Sequence, residues 1–225
     1  MRITILTGAG ISAESGLATF RASDGLWEEH RIEDVATPEG FAADPVLVHR
    51  FYNARRQKAA EAQPNAAHRA LADLARRHSL TLVTQNVDDL HERGGSPDVV
   101  HMHGSLNRAL CAACGQRWDA PMAMAPDDAC PFCDAAATRP DIVWFGEIPY
   151  HMDRIWQALE ESDLFAAIGT SGNVYPAAGF AQHAQRMGAE CVELNLDASV
   201  NARDFDRQIL GPASQTVPDW VASLG

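Results

Sequence analysis

Ile3-Thr4-Ile5-Leu6-Thr7-Gly8-Ala9-Gly10 is the stretch on which the fold turns. A short, β-rich apolar run breaking into glycine reads as a buried strand that feeds a phosphate-type turn. Alone, Gly8-x-Gly10 does not separate a cofactor loop from an ordinary turn, because the Rossmann fingerprint wants a third glycine where this chain has Ala13. Recurrence supplies the discrimination. Gln85-Asn86-Val87-Asp88, His103-Gly104, Gly169-Thr170-Ser171 and Asn195-Leu196-Asp197 each follow a further apolar run. Parallel sheets bind ligands at the carboxyl ends of their strands, so these clusters predict a single crevice. Ordinary turn chemistry favours the same residue types.

Outward from that stretch, helical periodicity spans residues 45–60 and 66–78, the second with Asn65 as a plausible N-cap. Strands are expected at Leu80–Thr84, Val99–Met102, Ile142–Phe145, Leu164–Ile168 and Cys191–Asn195. Further helices are expected at Met152–Ser162, Ala177–Met187 and Val217–Leu224. Alternating β and α segments imply a mostly parallel sheet covered on both faces. The expected architecture is α/β, one domain over 1–225. Residues 1–28, 79–108 and 141–225 would form a Rossmann-like core, and 29–78 a helical insertion.

The remaining segment, 109–140, carries Cys111, Cys114, Cys130 and Cys133 at C-x2-C-x15-C-x2-C spacing. Two knuckles of this kind supply a complete tetrahedral zinc shell. The segment has few large apolar residues, so metal would have to organise it. Four thiolates leave no position for water, which makes the expected zinc structural; metal-free CxxC redox chemistry is the alternative. Cys191, within Glu190-Cys191-Val192-Glu193-Leu194, reads as a buried strand thiol.

Composition narrows the class. The chain has 225 residues, 46% hydrophobic and 21% charged, and a net charge of −12. That charge disfavours direct binding to nucleic acid or anionic membrane. No apolar run reaches the ~18–20 residues of a membrane span, and the glycine-broken N-terminus does not read as a signal peptide. Reduced cysteines at metal spacing fit a cytoplasmic protein. A monomer is expected.

Taken in order, Gly8-Ala9-Gly10-Ile11-Ser12-Ala13-Glu14-Ser15-Gly16-Leu17-Ala18-Thr19-Phe20-Arg21, Thr84-Gln85-Asn86-Val87-Asp88-Asp89-Leu90-His91, His103-Gly104, the cysteines, Val143-x-Phe145-Gly146-Glu147 and Gly169-Thr170-Ser171 resemble the signature of sirtuins, the NAD-dependent protein deacylases. The resemblance runs from about residue 3 to about residue 221. Without long terminal extensions, the chain looks like the bacterial branch.

The resemblance implies NAD as co-substrate and acylated protein lysines as substrate. Gly8, Ala9, Gly10, Ser12 and Glu14 would lie at the cofactor, with the glycines admitting the pyrophosphate where a Cβ would clash. Phe20 and Arg21 would sit on a loop closing over it. Gln85, Asn86, Val87 and Asp88 would line the nicotinamide pocket. Gly169, Thr170, Ser171, Asn195, Leu196, Asp197 and Ala213 would hold the ribose and adenine ends. His103 would be the general base, its ordinary pKa lying near neutrality, and Asn86 and Asp88 would complete the catalytic set. His91 and His101 read as structural. Val143, Phe145, Gly146 and Glu147 would pair with the substrate backbone by strand addition. In the implied reaction the acyl oxygen attacks the ribose carbon as nicotinamide leaves, and His103 assists the ribose hydroxyl. Free lysine and O-acyl-ADP-ribose result.

Tyr52 and Arg55 refine this. At i and i+3 they share a helix face, and Tyr-x-x-Arg here is the mark of sirtuins that remove malonyl, succinyl and glutaryl groups. Ala36 matches the small residue that leaves room for the longer chain. Dual deacetylase and desuccinylase activity is expected. Mono-ADP-ribosyl transfer and a non-catalytic NAD sensor are the alternatives.

Overall fold

The computed structural model of the chain describes residues 1–18, residues 26–27 by their backbone, and residues 30–225. In chain order the elements are β1 (Arg2–Thr7), α1 (Gly10–Ala13), β2 (Leu26–Trp27), β3 (His30–Arg31), α2 (Ile32–Val35), α3 (Pro38–Ala43), α4 (Pro45–Glu61), α5 (Ala66–Leu74), β4 (Ser79–Thr84), α6 (Leu90–Arg93), β5 (Val99–His101) and β6 (Gly104–Cys111). They continue with β7 (Arg117–Asp119), β8 (Thr138–Ile142), α7 (Met152–Glu161), β9 (Leu164–Ile168), α8 (Phe180–Arg186), β10 (Glu190–Asn195), β11 (Arg207–Leu210) and α9 (Ala213–Ser223).

Six of these strands pair in parallel in the order β11-β10-β9-β1-β4-β5. Starting from β1, the chain steps outward to β4 and β5, then returns to the other side of β1 for β9, β10 and β11. This is Rossmann winding, and its reversal point lies between β1 and β9. Helices cover both faces, which is why β9 reads as an unbroken apolar run and β1, beyond Arg2, as an apolar run broken only by threonines. On one face Ile3, Ile5, Leu82 and Ile168 pack under Leu71 and Leu74 of α5 and Val217, Trp220 and Val221 of α9. On the other, Leu6, Val83, Phe165 and Cys191 meet Ile155 and Leu159 of α7 and Phe180 and Ala184 of α8. Full burial of one such side chain stabilises by about 1.5–3 kcal/mol.

Two smaller bodies flank this core. The antiparallel sheet β7-β6-β8 frames the cysteines, with β6 beginning before the 109–140 segment and β8 ending after it. The helices α2 and α4 bury Val35, Val48, Phe51 and Tyr52 against Leu106, Ile142 and Trp144. Helix α5, grouped by sequence with the helical insertion, belongs by packing to the sheet. Its cap is as expected: Asn65 accepts from the Ala67 N–H at 2.9 Å, and its amide reaches back to the Ile11 carbonyl at 2.8 Å.

Some expectations shift. The strand placed at Ile142–Phe145 ends at Ile142 and pairs with β6 instead of joining the parallel sheet. Residues 143–147 turn away because Val143 N–H bonds the His103 carbonyl, Phe145 N–H the Ala36 carbonyl, and Trp144 N–H the Glu147 carboxylate. Helix α9 starts at Ala213, earlier than the apolar pattern suggests. Pro218 imitates a helix start, whereas the real N-terminus is capped from far away by Glu14, which accepts from Ser214 N and Oγ at 2.8 and 2.7 Å. Among the described residues no helix is long and apolar enough to cross a membrane.

Candidate active site

A cavity of about 510 Å³ opens at the reversal point, at the carboxyl ends of β1, β4, β9 and β10. Its size is that of a ligand site. Gly8, Ala9, Gly10 and Ser12 line it, with Gln85, Asn86, Val87, Asp88, His103, Gly169, Thr170, Ser171, Asn195, Leu196 and Asp197. The strand-end clusters therefore do converge. Glu14 and Ala213 do not reach the lining, since Glu14 is engaged in capping α9. Phe20 and Arg21 lie outside the described residues.

The glycines also have a reason within the fold itself. A Cβ on Gly8 would stand 2.7 Å from the Gly169 carbonyl oxygen, and one on Gly10 2.7 Å from Gly169 Cα. Gly169 itself has φ +64°, and its Cβ would lie 2.4 Å from Ile11 N. The turns after β1 and β9 interlock, with Gly10 N–H donating to the Gly169 carbonyl at 2.9 Å. Backbone meets backbone at these positions, and that contact alone demands glycine.

A buried polar network runs through this part of the cavity wall. Asn86 Nδ2 donates to the Gly8 carbonyl and to Ser12 Oγ, both at 3.2 Å, and Ser12 Oγ donates to Asp88 Oδ2 at 3.2 Å. Leu90 N–H holds Asp88 Oδ1 at 3.1 Å. Burial pushes the Asp88 carboxyl up; the Leu90 and Ser12 bonds and the nearby His101 oppose that. Ser12 is backed by His68, driven to about 4 by burial and by Arg69. Sequence reasoning missed His68 and the Thr7–His91 contact at 2.9 Å, because a lone histidine in a helix carries no local signature.

His103 donates through Nδ1 to the Gln85 carbonyl at 3.1 Å. Its Nε2 is then the basic nitrogen. Burial lowers its pKa, only partly offset by the Gln85 bond, so the ring is a neutral base at physiological pH. Gly104 follows at φ +81°, where a Cβ would lie 2.0 Å from the Asp141 carbonyl oxygen. That turn places His103 at the wall.

Ala36, Tyr52 and Arg55 line the same cavity, as do Val143, Phe145, Gly146 and Glu147. Tyr52 is fully buried, and burial raises its phenol to about 12, so it remains a donor. Its oxygen accepts from Trp144 Nε1 at 3.0 Å, which leaves its own proton for a ligand. Arg55 lies one helical turn on, its guanidinium 5.7 Å from the Phe51 ring centre. Glu147 is occupied: both its oxygens bind Arg139, at 2.7 and 3.0 Å, and it holds the Trp144 N–H at 2.8 Å. The Arg139 guanidinium stacks 3.5 Å over the Trp144 ring. Glu147 thus shapes the wall from behind.

The cysteine sulfurs lie within 4.8 Å of one another, with Cys111–Cys133 at 3.8 Å and Cys114–Cys130 at 3.7 Å. A tetrahedron with ~2.3 Å zinc–sulfur arms has edges of about 3.8 Å, so the donor set fits zinc and saturates it. Each knuckle ends in a left-handed residue, Gly115 and Asp134.

Residues 8–176 match the Sir2 family. A protein named NAD-dependent protein deacylase from Escherichia coli strain K12 is 56% identical over 99% of this chain and 82% of its own length. One of the same name from Caulobacter vibrioides is 53% identical over 100% and 97%. Among solved structures, a Sir2 homologue in complex with NAD superposes with a TM-score of 0.91 at 40% identity, covering 99% of this chain and 88% of that one. A Sir2 protein bound to acetylated peptide superposes with a TM-score of 0.84 at 25% identity, covering 99% and 93%. By sequence and by fold, the chain belongs to the Sir2 family.

Proposed function

We propose that the protein is an NAD-dependent protein-lysine deacylase that removes acetyl groups and also the acidic succinyl and malonyl groups. One observation carries the finer part: Tyr52 and Arg55, a phenol and a guanidinium on one turn of α4, share a cavity with His103. The relatives' name supports the coarser part.

Bound NAD supplies an electrophilic ribose carbon and a leaving nicotinamide. The turns at Gly8–Gly10 and Gly169–Ser171, with Asn195–Asp197, offer the polar floor for an extended dinucleotide. Asn86 and Asp88, fixed through Ser12, orient its nicotinamide end. His103 Nε2 takes the proton of a ribose hydroxyl. At the acyl end, Ala36 leaves space, the Tyr52 hydroxyl donates, and Arg55 pairs with a terminal carboxylate. Charge-assisted bonds of this type are worth roughly 1.5–3 kcal/mol, or about 10–150-fold in selectivity. An acetyl group lacks the carboxylate and needs no clamp. The zinc ion holds the β6–β8 sheet together and takes no part in the reaction.

The test compares wild type with Arg55→Met on one peptide carrying acetyl- or succinyl-lysine. Succinyl kcat/KM should fall by about 10–150-fold while acetyl turnover survives; unchanged succinyl turnover refutes the clamp. The pH profile checks His103. Its lowered pKa keeps the neutral base present down through pH 6.5 and removes it as pH falls through the depressed value. The acid limb of kcat/KM should therefore lie below pH 6.5, and an acid limb above it would contradict the assignment.

A further inference from the structure

His101 stands two residues before His103, yet its surroundings are opposite. Its Nδ1 lies 3.1 Å from the Asn86 carbonyl oxygen, and its Nε2 lies 2.7 Å from Glu92 Oε1. Both neighbours are acceptors. A neutral imidazole has one donor nitrogen and satisfies only one of them; the doubly protonated ring satisfies both. Glu92 reaches solvent, while His101 is mostly covered.

We propose that His101 is a positioning residue: an imidazolium held between Glu92 and the Asn86 carbonyl, it fixes the 85–88 loop and sets a positive charge beside Asp88. The histidine pair would thus clamp successive carbonyls of this loop, His103 that of Gln85 and His101 that of Asn86. One ring stays neutral to serve as base, and the other stays charged to serve as strut. Environments that push two like groups apart in this way divide their roles.

The ionisable groups facing His101 are Glu92 and His91 on α6 and Asp88 in the loop after β4. Burial alone would lower its pKa; the Glu92 bond and charge, the Asn86 carbonyl and Asp88 outweigh that and raise it. His91 is buried and held neutral, so it adds no competing charge. A histidine with a raised pKa keeps its contribution at low and neutral pH and loses it as pH rises through the raised value. Removing the Glu92 charge leaves burial to dominate and moves that loss to lower pH.

The inference rests on the reading that Asn86 and Asp88 face the bound dinucleotide. Asn86→Ala tests that reading separately: unchanged NAD affinity would sink it. The inference itself is tested first by nitrogen NMR of the His101 ring in the intact wild-type protein. Both nitrogens protonated at about pH 7 is the expected result, and a singly protonated ring overturns the proposal.

The second test is NAD titration of His101→Gln and Glu92→Gln. For His101→Gln the NAD Kd should rise about fivefold, the scale of one hydrogen bond, with acyl-peptide KM within about twofold of wild type. For Glu92→Gln the deficit relative to wild type should be larger at about pH 7, where the wild-type ring is expected to be charged, than at about pH 5. A common rise in both parameters, without pH dependence and with lowered melting temperature, would mean a merely structural residue and refute the proposal. No change in either variant refutes it as well.

Discussion

The parallel sheet and the cysteine-bearing sheet are held together by different forces. In the first, β1, β9 and β10 are largely buried on both faces and their apolar side chains pack into two extended apolar clusters. In the second, residues 112–137 bury little besides Met124 and Cys130. What holds that stretch is the sulfur cluster and a polar seam to α4. There Arg56 donates to the Leu106 carbonyl at 2.6 Å and to Asn53 Oδ1 at 2.9 Å, and Asn53 exchanges bonds with Met124 at 2.8 and 3.0 Å. Redundant packing fails gradually, whereas a single multivalent anchor fails at once.

The widest gap between the two regions should appear on zinc removal. Structural zinc contributes about 10–16 kcal/mol in small zinc domains, so chelation or Cys130→Ser should open residues 112–137 to rapid hydrogen exchange. Amides of β1, β4 and β9 should stay protected. Loss of protection across both regions together would show that the sheets do not fail independently. Leu82→Ala reverses the experiment. It leaves a cavity in the parallel core and should cost about 2–5 kcal/mol of global stability, with zinc affinity unchanged; a measured drop in zinc affinity would blur the division.

The seam supplies the smallest effect. Arg56 is 2% exposed and bonds neutral acceptors, among them the Met122 carbonyl and Met124 Sδ. Arg56→Met strips donors from Leu106 and Asn53 but also removes a buried charge. A net loss of about 1–3 kcal/mol is expected, seen as faster exchange at 122–124 ahead of the sheet. The Thr138 hydroxyl at this boundary is buried without a hydrogen-bond partner.

Legibility followed the same division. The strand-end clusters around Gly8, Asn86, His103, Gly169 and Asn195 stood out because parallel strands buried on both faces read as plain apolar runs that break at the ligand edge. The zinc site stood out because its ligands are local in sequence. Elements whose cause is distant did not. The edge strand β11 is mostly exposed and has no apolar signature, and β7 is a polar three-residue pairing partner. The cap that Glu14 places on α9 was hidden, because nothing near Glu14 in sequence reveals that its partner is Ser214. Trp144 occupied an unassigned position between Val143 and Phe145, though its indole and Arg139 brace Tyr52. His101 read simply as structural, because the acceptors on either side of it, Glu92 and the Asn86 carbonyl, are not evident from the chain.

The interlocked turns of Gly8, Gly10 and Gly169 bear on how this chain can vary. Each glycine is required by the backbone of another, so a change at one gains nothing from a compensating change at the next. Relaxing the contact would require β1 and β9 to separate, and their pairing runs from Ile3–Leu164 to Thr7–Ile168. The three positions form one heritable unit, closed to stepwise drift, and descendants of this sequence are free to diversify their specificity only on the opposite wall, where side chains rather than main chain line the cavity.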